Sequence, residues 1–284
     1  MKVKNVFTID TEDWFHANYE DNLFTNNSEM KSTVEENVDE LLELFEKYYV
    51  KATFFVLGFV AETHPDMIKK IAAQGHEIAS HGYAHELVYK QTPQEFREDV
   101  QRSKALLENI IQSPVIGYRA PSWSITEESL WALDILEEEG FAYTSSIFPT
   151  KNFLYGIPYA PRFQHSCDIY GKGQLNLVNI PPATVSLWKE GIKIPFSGGA
   201  YFRLLPGWMI RWFTNQINQK EGQPVIYYLH PREIDPKQPR LKLHFKDAMI
   251  HYYGIRGCEG KLNKVLSCYE FVPMRELLSY REDA

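Results

Sequence analysis

Short runs of β-branched and aromatic residues alternate with amphipathic helical stretches along most of this chain. Residues 52–57 are apolar apart from Thr53, which is typical of a strand buried on both faces of a parallel sheet. Apolar side chains recur at helical spacing between such runs, for example over residues 34–49 and 93–111. The pattern predicts about seven strands, at residues 3–9, 52–57, 77–80, 115–118, 143–147, 177–180 and 225–229.

This alternation predicts an α/β fold in which crossover helices join parallel strands. Seven such units suit an incomplete barrel better than an open doubly wound sheet, and no glycine-rich phosphate loop follows the first strand. Residues 151–173 carry no periodic pattern and are predicted to form a long loop over the barrel mouth. The alternation breaks after Pro231, so we predict a barrel of residues 1–232 and a C-terminal extension of residues 233–284 packed on it.

The charge balance argues against two classes of binding partner, and the lengths of the apolar runs argue against a membrane span. The 284 residues hold 30 Lys+Arg against 37 Asp+Glu, a net charge of −7, which argues against nucleic acid and anionic membranes. No signal-peptide core is present and no apolar stretch approaches ~18 residues, so we expect no transmembrane segment and a cytoplasmic location. The three cysteines do not form a disulfide framework. A homo-oligomer is compatible with the sequence.

Polar side chains cluster where the predicted strands end. They are, in chain order, Asp10, Glu12, Asp13, His81, His85, Arg119 and His230. The carboxyl ends of parallel barrel strands meet at one rim, which is where barrel active sites are built. We therefore expect these side chains to lie close together.

His81 and His85 are spaced by four residues, which places both imidazoles on one face if they begin a helix. One upstream carboxylate would complete a site of two histidines and one carboxylate, as zinc hydrolases require. Instead of binding metal, the two histidines could lie on a solvated face, and the acids could serve only as loop or helix-cap residues. Three neighbouring acids need positive charge among them, and a metal ion together with Arg119 would supply it.

Four motifs in this order resemble the polysaccharide deacetylases of carbohydrate esterase family four. They are Thr-Ile-Asp-Thr-Glu-Asp at 8–13, Ser-His-Gly-Tyr-Ala-His at 80–85, Arg-Ala-Pro-Ser-Trp at 119–123 and Leu-His-Pro at 229–231. The stretches 195–203 and 230–240 are similar to a subgroup associated with bacterial exopolysaccharide loci. The resemblance implies a distorted (β/α)7 barrel with an added C-terminal segment. It also implies a metal-dependent hydrolase that cleaves the linear amide C–N bond of N-acetyl groups on a carbohydrate substrate.

The resemblance also assigns roles to the residues that match these motifs. Asp10 corresponds to the catalytic base, and Arg119 to the arginine that pairs with it. His81 and His85 correspond to metal ligands, and His230 to the general acid. Histidine and carboxylate ligands suit zinc first, and cobalt, nickel or manganese as well.

The sequence departs from the family at two positions. The family's adjacent Asp pair is replaced by Asp-Thr-Glu-Asp, so the metal carboxylate is Asp13 or Glu12, and Asp13 is favoured because its side chain is the shorter. The family's late Asp, which orients the catalytic histidine, has no clear counterpart. Candidates for fixing His230 or the C-terminal segment are Arg232, Glu233 and Asp235.

The resemblance and the aromatic content predict the substrate-binding residues. Pro121 and Ser122 match the family, with the Ser122 backbone N–H as a donor to the oxyanion. Trp14 and Trp123 adjoin the motifs, and the C–H faces of sugars stack on such rings. His76 is predicted to be a hydrogen-bonded structural residue. The histidines predicted to be solvated are His16, His64, His165, His244 and His251.

Two other functions remain open at this stage. The same barrel and metal could hydrolyse a small amide or a cyclic imide, because a fold does not determine a function. The chain could also be a catalytically silent carbohydrate-binding protein. The presence of the base, the histidine pair, the arginine and the late histidine argues against a silent protein.

Overall fold

The computed structural model describes residues 3–16, 30–150, 155–171, 175–186, 192–241 and 243–281. Its α-helices are α1 (Val34–Lys47), α2 (Gly58–Thr63), α3 (Pro65–Ala73), α4 (Pro93–Ile111), α5 (Ala132–Glu138), α6 (Gly199–Leu204), α7 (Gly207–Asn215), α8 (Phe245–Tyr252) and α9 (Cys258–Leu266). Its strands are β1 (Asn5–Thr11), β2 (Thr53–Val56), β3 (Glu77–Ser80), β4 (Gly117–Tyr118), β5 (Tyr143–Thr144), β6 (His165–Ser166), β7 (Val178–Asn179), β8 (Thr184–Ser186), β9 (Lys193–Pro195), β10 (Ile226–Leu229) and β11 (Phe271–Val272).

The main sheet is curled and almost entirely parallel. Its strand order is β10-β1-β2-β3-β4-β5-β7-β6, and only β6 runs antiparallel to its neighbour. Each of the seven predicted strand segments overlaps one of these parallel strands, so the α/β prediction is confirmed. The sheet forms a half-barrel, and in the described part of the chain no ladder joins β7 to β10.

The segment that precedes α6 lines the open side of the half-barrel. The backbone N–H of Ala183 donates to the Ile226 carbonyl, and Gly198 forms a parallel bridge with Tyr228. A Cβ atom on Gly198 would lie 2.0 Å from the Tyr228 carbonyl oxygen, so only glycine permits this approach. The gap in the sheet is therefore closed by backbone contacts rather than by an eighth barrel strand.

The alternation of side chains along β1 explains how the site is placed. Phe7 and Ile9 pack into the large core under the helices, whereas Val6 belongs to the smaller cluster inside the barrel. Because successive residues of a strand point to opposite faces, Thr8 and Asp10 share the interior face with Val6. The barrel interior thus changes from apolar to polar towards the carboxyl end of β1.

The strongest local signals in the sequence correspond to well-formed helices. Helix α4 spans the predicted residues 93–111, with Pro93 in its first turn and a capping box between Thr92 and Glu95. The sequence pattern did not predict helices α2, α6 and α7. In the described residues of the 151–173 stretch, β6 and a 3₁₀ turn (Cys167–Tyr170) replace the expected unstructured loop.

The C-terminal residues contribute to the sheet. Strand β11 pairs in parallel with the start of β1, with Phe271 opposite Asn5 and Val272 opposite Val6. The boundary at residues 232 and 233 stays a prediction. Among the helices that the structure describes, none has both the length and the hydrophobicity needed to cross a lipid bilayer.

His76, at the start of β3, confirms the prediction of a hydrogen-bonded structural histidine and makes stability dependent on pH. Its Nδ1 accepts the backbone N–H of Ala52 at 3.0 Å, and burial lowers its pKa to about 4. In the unfolded chain the imidazole pKa is about 6.5, so the unfolded state binds a proton first as pH falls. The contribution of His76 is present above pH ~6.5 and is lost progressively towards pH ~4.

We expect His76→Asn, which keeps a hydrogen-bond acceptor near the Nδ1 position, to weaken this acid dependence. Between pH 7 and pH 4, the free energy of unfolding of the wild type should fall by up to about 3 kcal/mol more than that of the variant. Urea unfolding at a series of pH values measures it. The control is His244→Asn, at an exposed histidine, which should keep the wild-type slope. If His76→Asn kept the wild-type dependence of the free energy of unfolding on pH, His76 would not be a source of that dependence.

Candidate metal-binding active site

A buried ion pair joins the end of β1 to the segment after β4. Arg119 is fully buried, and its Nη1 donates to Asp10 Oδ1 at 2.6 Å and to Thr8 Oγ1 at 2.8 Å. Its Nη2 donates to Ser145 Oγ at 2.9 Å, and its guanidinium carbon lies 4.1 Å from the centroid of the Phe55 ring. A charge inside a protein is tolerated when it is paired and hydrogen-bonded, and both conditions are met here.

Beside this pair, Glu12, His81 and His85 form a cluster that could hold a metal ion. One ligand atom from each lies within 4.8 Å of the others, and all three residues are buried. His81 Nδ1 lies 2.7 Å from the Arg119 carbonyl oxygen, which can only accept, so Nδ1 carries the proton. The Nε2 lone pair of a neutral His81 is then available to a metal, an orientation that second-shell hydrogen bonds commonly impose.

His81 and His85 lie in a loop. Their spacing of four residues had suggested the first turn of a helix, and that expectation is wrong. Residues 81–87 have no helical structure, and Gly82 and His85 adopt left-handed backbone angles of φ 75° and 58°. Asp99 of α4 holds the loop by accepting the backbone N–H groups of Tyr83 and Ala84 at 2.8 and 3.2 Å. A left-handed non-glycine residue held by its surroundings is typical of functional sites.

The structure brings Glu12, and not the favoured Asp13, to the histidine pair. The Glu12 backbone N–H donates to the Asp10 carbonyl, so the chain turns tightly as it leaves β1. Asp13 then faces away, and its Oδ1 accepts the N–H groups of Trp14 and Thr33, both at 3.1 Å. Thr33 precedes α1, so the Asp13 carboxylate ties the β1 loop to that helix. The sequence argument favoured Asp13 because its side chain is shorter. The tight turn instead places the Glu12 carboxylate beside the histidines.

The electrostatics of the cluster fit a divalent cation. Burial raises the pKa of Glu12, but the neighbouring His85 and His230 outweigh it and hold that pKa well below its usual range. Burial lowers the pKa of His81 to about 4, against the opposing charges of Asp10 and Glu12. An ionised carboxylate and a neutral imidazole are the protonation states that bind metal.

His230 lies between two carboxylates at the end of β10. Its Nε2 is 3.1 Å from Glu12 Oε1, and its Nδ1 is 3.3 Å from Glu233 Oε2. Burial alone would lower its pKa, but the charges and hydrogen bonds of Glu12 and Glu233 raise it to about 10. The two carboxylates therefore favour the imidazolium form of this side chain.

Glu233 is the acid that contacts His230, among the three candidates that the sequence left open. It is fully buried, and its Oε1 accepts from Arg203 Nε at 2.7 Å. Burial raises the pKa of Glu233, but Arg203 and His230 lower it well below its usual range. A 3₁₀ turn, Pro231–Ile234, brings Glu233 back to the histidine three residues before it. Arg203 ends the stretch 195–203 of the narrower resemblance, but nothing in the sequence linked it to Glu233, thirty residues downstream.

The predicted substrate-binding residues divide into two groups. Ser122 and Trp123 lie in the turn Pro121–Trp123 with left-handed φ values of 51° and 49°, and the Trp123 ring centroid is 5.6 Å from the Arg119 guanidinium carbon. Within the part of the chain that the structure describes, Trp123 Nε1 is buried without a hydrogen-bond partner. Trp14, in contrast, is buried with its indole N–H donating to the Lys31 carbonyl at 3.1 Å.

His16 belongs to the surroundings of the site, although the sequence predicted it to be solvated. It is 1% exposed, and its Nδ1 accepts the backbone N–H of Asp13 at 2.8 Å. Its ring stacks near His85 with the centroids 6.3 Å apart. Burial lowers its pKa to about 3. His251, also predicted to be solvated, is fully buried.

The curled parallel sheet, with acids, histidines and an arginine at one rim, has the (β/α)7-barrel fold of carbohydrate esterase family four deacetylases. Residues 23–143 match the family model described as polysaccharide deacetylase, and residues 145–279 match a domain of unknown function, DUF3473. The predicted resemblance is confirmed at the level of this domain and fold. The exopolysaccharide-associated subgroup stays a prediction.

Curated relatives carry deacetylase names. The chain is 34% identical over 113 residues to a peptidoglycan deacetylase of Helicobacter pylori, which covers 40% of this chain and 38% of the relative. It is 31% identical over 159 residues to a peptidoglycan-N-acetylglucosamine deacetylase of Bacillus cereus, covering 50% of this chain and 57% of the relative. The chain thus matches well under two thirds of the length of these relatives.

Solved structures extend the likeness of the fold to almost the whole chain. A Mycobacterium smegmatis protein, provisionally assigned as a polysaccharide deacetylase, superposes with a TM-score of 0.64 at 20% identity, covering 98% of this chain and 89% of that one. The Puue allantoinase superposes with a TM-score of 0.59 at 17% identity, covering 96% and 88%. At these identities the superpositions establish the fold alone.

The candidate site crosses the limits of both family models. Asp10 and Glu12 precede the deacetylase match, and His81, His85 and Arg119 lie within it. His230 and its supporting pair, Arg203 and Glu233, lie within the DUF3473 match. Residues from both matched regions, and from the stretch before them, therefore meet at one rim.

We expect Glu12 and Asp13 variants to separate metal binding from loop structure. Glu12→Ala removes the carboxylate of the cluster and should weaken the binding of an added divalent metal ion by at least about 10-fold. Asp13→Ala removes the acceptor for two backbone N–H groups and should cost about 1–2 kcal/mol of stability while metal binding is kept. Metal content after dialysis and the Tm of each variant measure the two effects. Loss of metal binding in Asp13→Ala alone would make Asp13, and not Glu12, the ligand.

Proposed function

We propose that this protein is a metal-dependent deacetylase that hydrolyses N-acetyl groups on amino sugars of a bacterial polysaccharide or its precursor. The observation that carries the proposal is the meeting of three elements at one buried rim. The cluster of Glu12, His81 and His85 lies beside the Asp10–Arg119 ion pair, and His230 contacts Glu12. The names of the curated relatives support the same chemistry.

Glu12, His81 and His85 are the residues that would hold the cation, which we propose to be zinc, with cobalt, nickel or manganese also compatible with the ligands. When bound, such a cation supplies Lewis-acid polarisation of a carbonyl and lowers the pKa of water. The protein supplies the remaining groups of the reaction.

Amide hydrolysis adds one water across the C–N bond and releases acetate and a free amine. We assign Asp10 as the base that takes a proton from the attacking water, with Arg119 holding one of its carboxylate oxygens in place. The backbone N–H of Ser122 is proposed to donate to the oxygen that becomes negative as the carbonyl carbon turns tetrahedral. Trp123 and Pro121 would line the sugar pocket.

His230 is assigned as the acid that protonates the leaving amine. An amine leaves readily only as its protonated form, so the C–N bond needs a donor at this position. The carboxylates of Glu12 and Glu233 favour the imidazolium by raising the His230 pKa to about 10. Glu233, itself held by Arg203, fixes the ring through Nδ1 and so acts as a positioning residue.

Acetate release from N-acetylglucosamine oligomers tests the proposal directly. We expect turnover that a chelator abolishes and added zinc restores. Allantoin and small linear amides belong in the same assay, because the allantoinase shares this fold. Turnover of only the small amides would favour the second hydrolase function, and binding of oligomers without turnover would favour a silent carbohydrate-binding protein. Turnover that resists the chelator would contradict the metal mechanism.

Asp10→Asn should lower kcat by roughly 100-fold or more, the scale of a general base, while zinc remains bound. The amide keeps the size of the side chain but cannot accept the proton of water. Asp13→Asn, at a neighbouring acid outside the cluster, is the matched control and should stay within a few-fold of the wild type. Near-wild-type turnover by Asp10→Asn would remove Asp10 from its role.

Glu233→Gln should lower kcat by about 10- to 100-fold with little change in KM or zinc content, because it disturbs the acid and not the binding of substrate. The control is Glu221→Gln, which breaks the Arg162–Glu221 ion pair at the protein surface. Steady-state kinetics of both variants measure the changes in kcat and KM separately, and Tm values establish that the variants are folded. A folded Glu233→Gln enzyme with an unchanged kcat would show that Glu233 does not position His230.

A further inference from the structure

The outward side of helix α8 carries large apolar residues where a surface helix normally carries polar ones. The exposed positions repeat at helical spacing, and they are Phe245, Lys246, Met249 and Ile250, followed by Tyr253 just after the helix. Phe245 is 84% exposed and Tyr253 is 52% exposed, whereas within α8 only His251 is buried. Clustered apolar side chains on a surface mark a place that binds a membrane or another protein. We call these five exposed residues the α8 face.

A cavity that contains two arginines adjoins the α8 face. Its volume is about 250 Å³, and its lining includes Asp235, Arg240, Tyr252, Tyr253 and Arg256. Tyr253 belongs to both the cavity and the α8 face, so the two are continuous. The Arg240 guanidinium carbon lies 4.3 Å from the centroid of the Tyr252 ring, and Arg256 is exposed. The planar guanidinium group binds phosphate oxygens with two parallel hydrogen bonds, so a phosphate group suits this cavity.

The charge of this region is opposite to that of the whole chain. Residues 237–256 hold five basic residues and one acid, Asp247, although the net charge of the chain is −7. The acid in the cavity, Asp235, already accepts the backbone N–H of Lys237 at 2.7 Å. The argument against anionic membranes from net charge averages over the whole chain. Electrostatic attraction to a membrane acts within a Debye length of about 10 Å, so the local charge decides it.

The α8 face is fixed to the body of the protein before any partner binds. Arg203 of α6 donates to the carbonyl oxygen of Ile250 at 2.7 Å and also to that of Tyr253. The same guanidinium pairs with the buried Glu233, so the end of α8 is tied to a charged contact inside the protein. Docking through this face therefore does not require a disordered segment to fold, which lowers the entropy cost of binding.

We infer that the α8 face and the adjoining cavity dock this protein on the surface of an anionic phospholipid bilayer. A bilayer presents an apolar layer and a layer of phosphates side by side, and this region presents apolar side chains beside Lys246, Arg240 and Arg256. Aromatic and basic residues on one short helix are typical of interfacial anchors. Helix α8 has eight residues and is about 12 Å long, so it would lie in the plane of the interface. The inference does not depend on the proposed deacetylase chemistry.

Sedimentation with extruded vesicles tests the apolar part of the docking surface. Vesicles of phosphatidylcholine with about 30% phosphatidylglycerol should bind the protein at least about 10-fold more tightly than phosphatidylcholine alone. Phe245→Ser/Ile250→Ser should weaken binding to the anionic vesicles by at least about 10-fold, because two apolar side chains no longer leave water. The matched control is Tyr49→Asn/Ile169→Ser, at two exposed apolar side chains outside the α8 face, and it should bind like the wild type.

Charge variants test the basic part of the surface. Lys246→Glu/Arg256→Glu should weaken binding to the anionic vesicles by at least about 10-fold and leave binding to phosphatidylcholine unchanged. Lys69→Glu/Lys90→Glu alters the net charge equally at two exposed lysines of other elements, and its binding should stay within about 3-fold of the wild type. Tm values and light scattering establish that each variant is folded and report its oligomeric state.

Several results would overturn the docking surface. They are the absence of binding to either kind of vesicle, equal binding to both kinds, and an equal loss of binding in the matched controls. A wild-type dimer that Phe245→Ser/Ile250→Ser dissociates, without vesicle binding, would assign the α8 face to a second copy of the chain instead. Acetate release bears on the deacetylase proposal alone, so each proposal can fail without the other.

Discussion

The contacts of Arg119 hold the whole site together. Its guanidinium pairs with Asp10 at the end of β1, and its backbone carbonyl accepts the proton of His81 Nδ1. One residue therefore orients both the proposed base and a proposed metal ligand. Burial of such a charge is costly, and Thr8, Ser145 and the Phe55 ring provide the hydrogen bonds and the cation–π contact that make it tolerable. The parallel order β1-β2-β3-β4 brings the ends of these strands close enough for the contacts to form.

A chain of alternating charges extends from this centre to the C-terminal region. Glu12 lies between the imidazoles of His85 and His230, and Glu233 lies between His230 and Arg203. Each buried carboxylate thus has a cationic or hydrogen-bonding partner on both sides, which explains why the pKa values of Glu12 and Glu233 are both depressed despite burial. A cation at the Glu12 cluster would enter a site where the neighbouring charges are already oriented.

This arrangement gives the region matched by DUF3473 a part in the proposed chemistry. It provides the proposed acid, His230, and the Arg203–Glu233 pair that supports it. The region that matches the deacetylase model therefore does not form the site alone, and the two regions act as one structural unit at the rim.

Much of the fold could be predicted because its signals are local. The apolar run at residues 52–57, the Pro93–Ile111 pattern and the polar residues at strand ends depend on nearest neighbours, and the structure contains the corresponding strands and helix. The choice between Glu12 and Asp13 could not be predicted, since it depends on a tight turn after β1 and on Thr33 as a competing partner for Asp13. Glu233 was one of three candidates for fixing His230, and the sequence did not indicate the roles of Arg203 and His16.

The sequence by itself determined which residue types could reach the rim, because strand periodicity places the residues after each parallel strand at one end of the sheet. Only the tertiary structure decided which of them touch. Contacts such as Arg203–Glu233 and Asp10–Arg119 join residues 30 and 109 positions apart. The hydrogen bonds and charges that select one partner over another act over a few ångströms in space, and no local pattern along the chain records that distance.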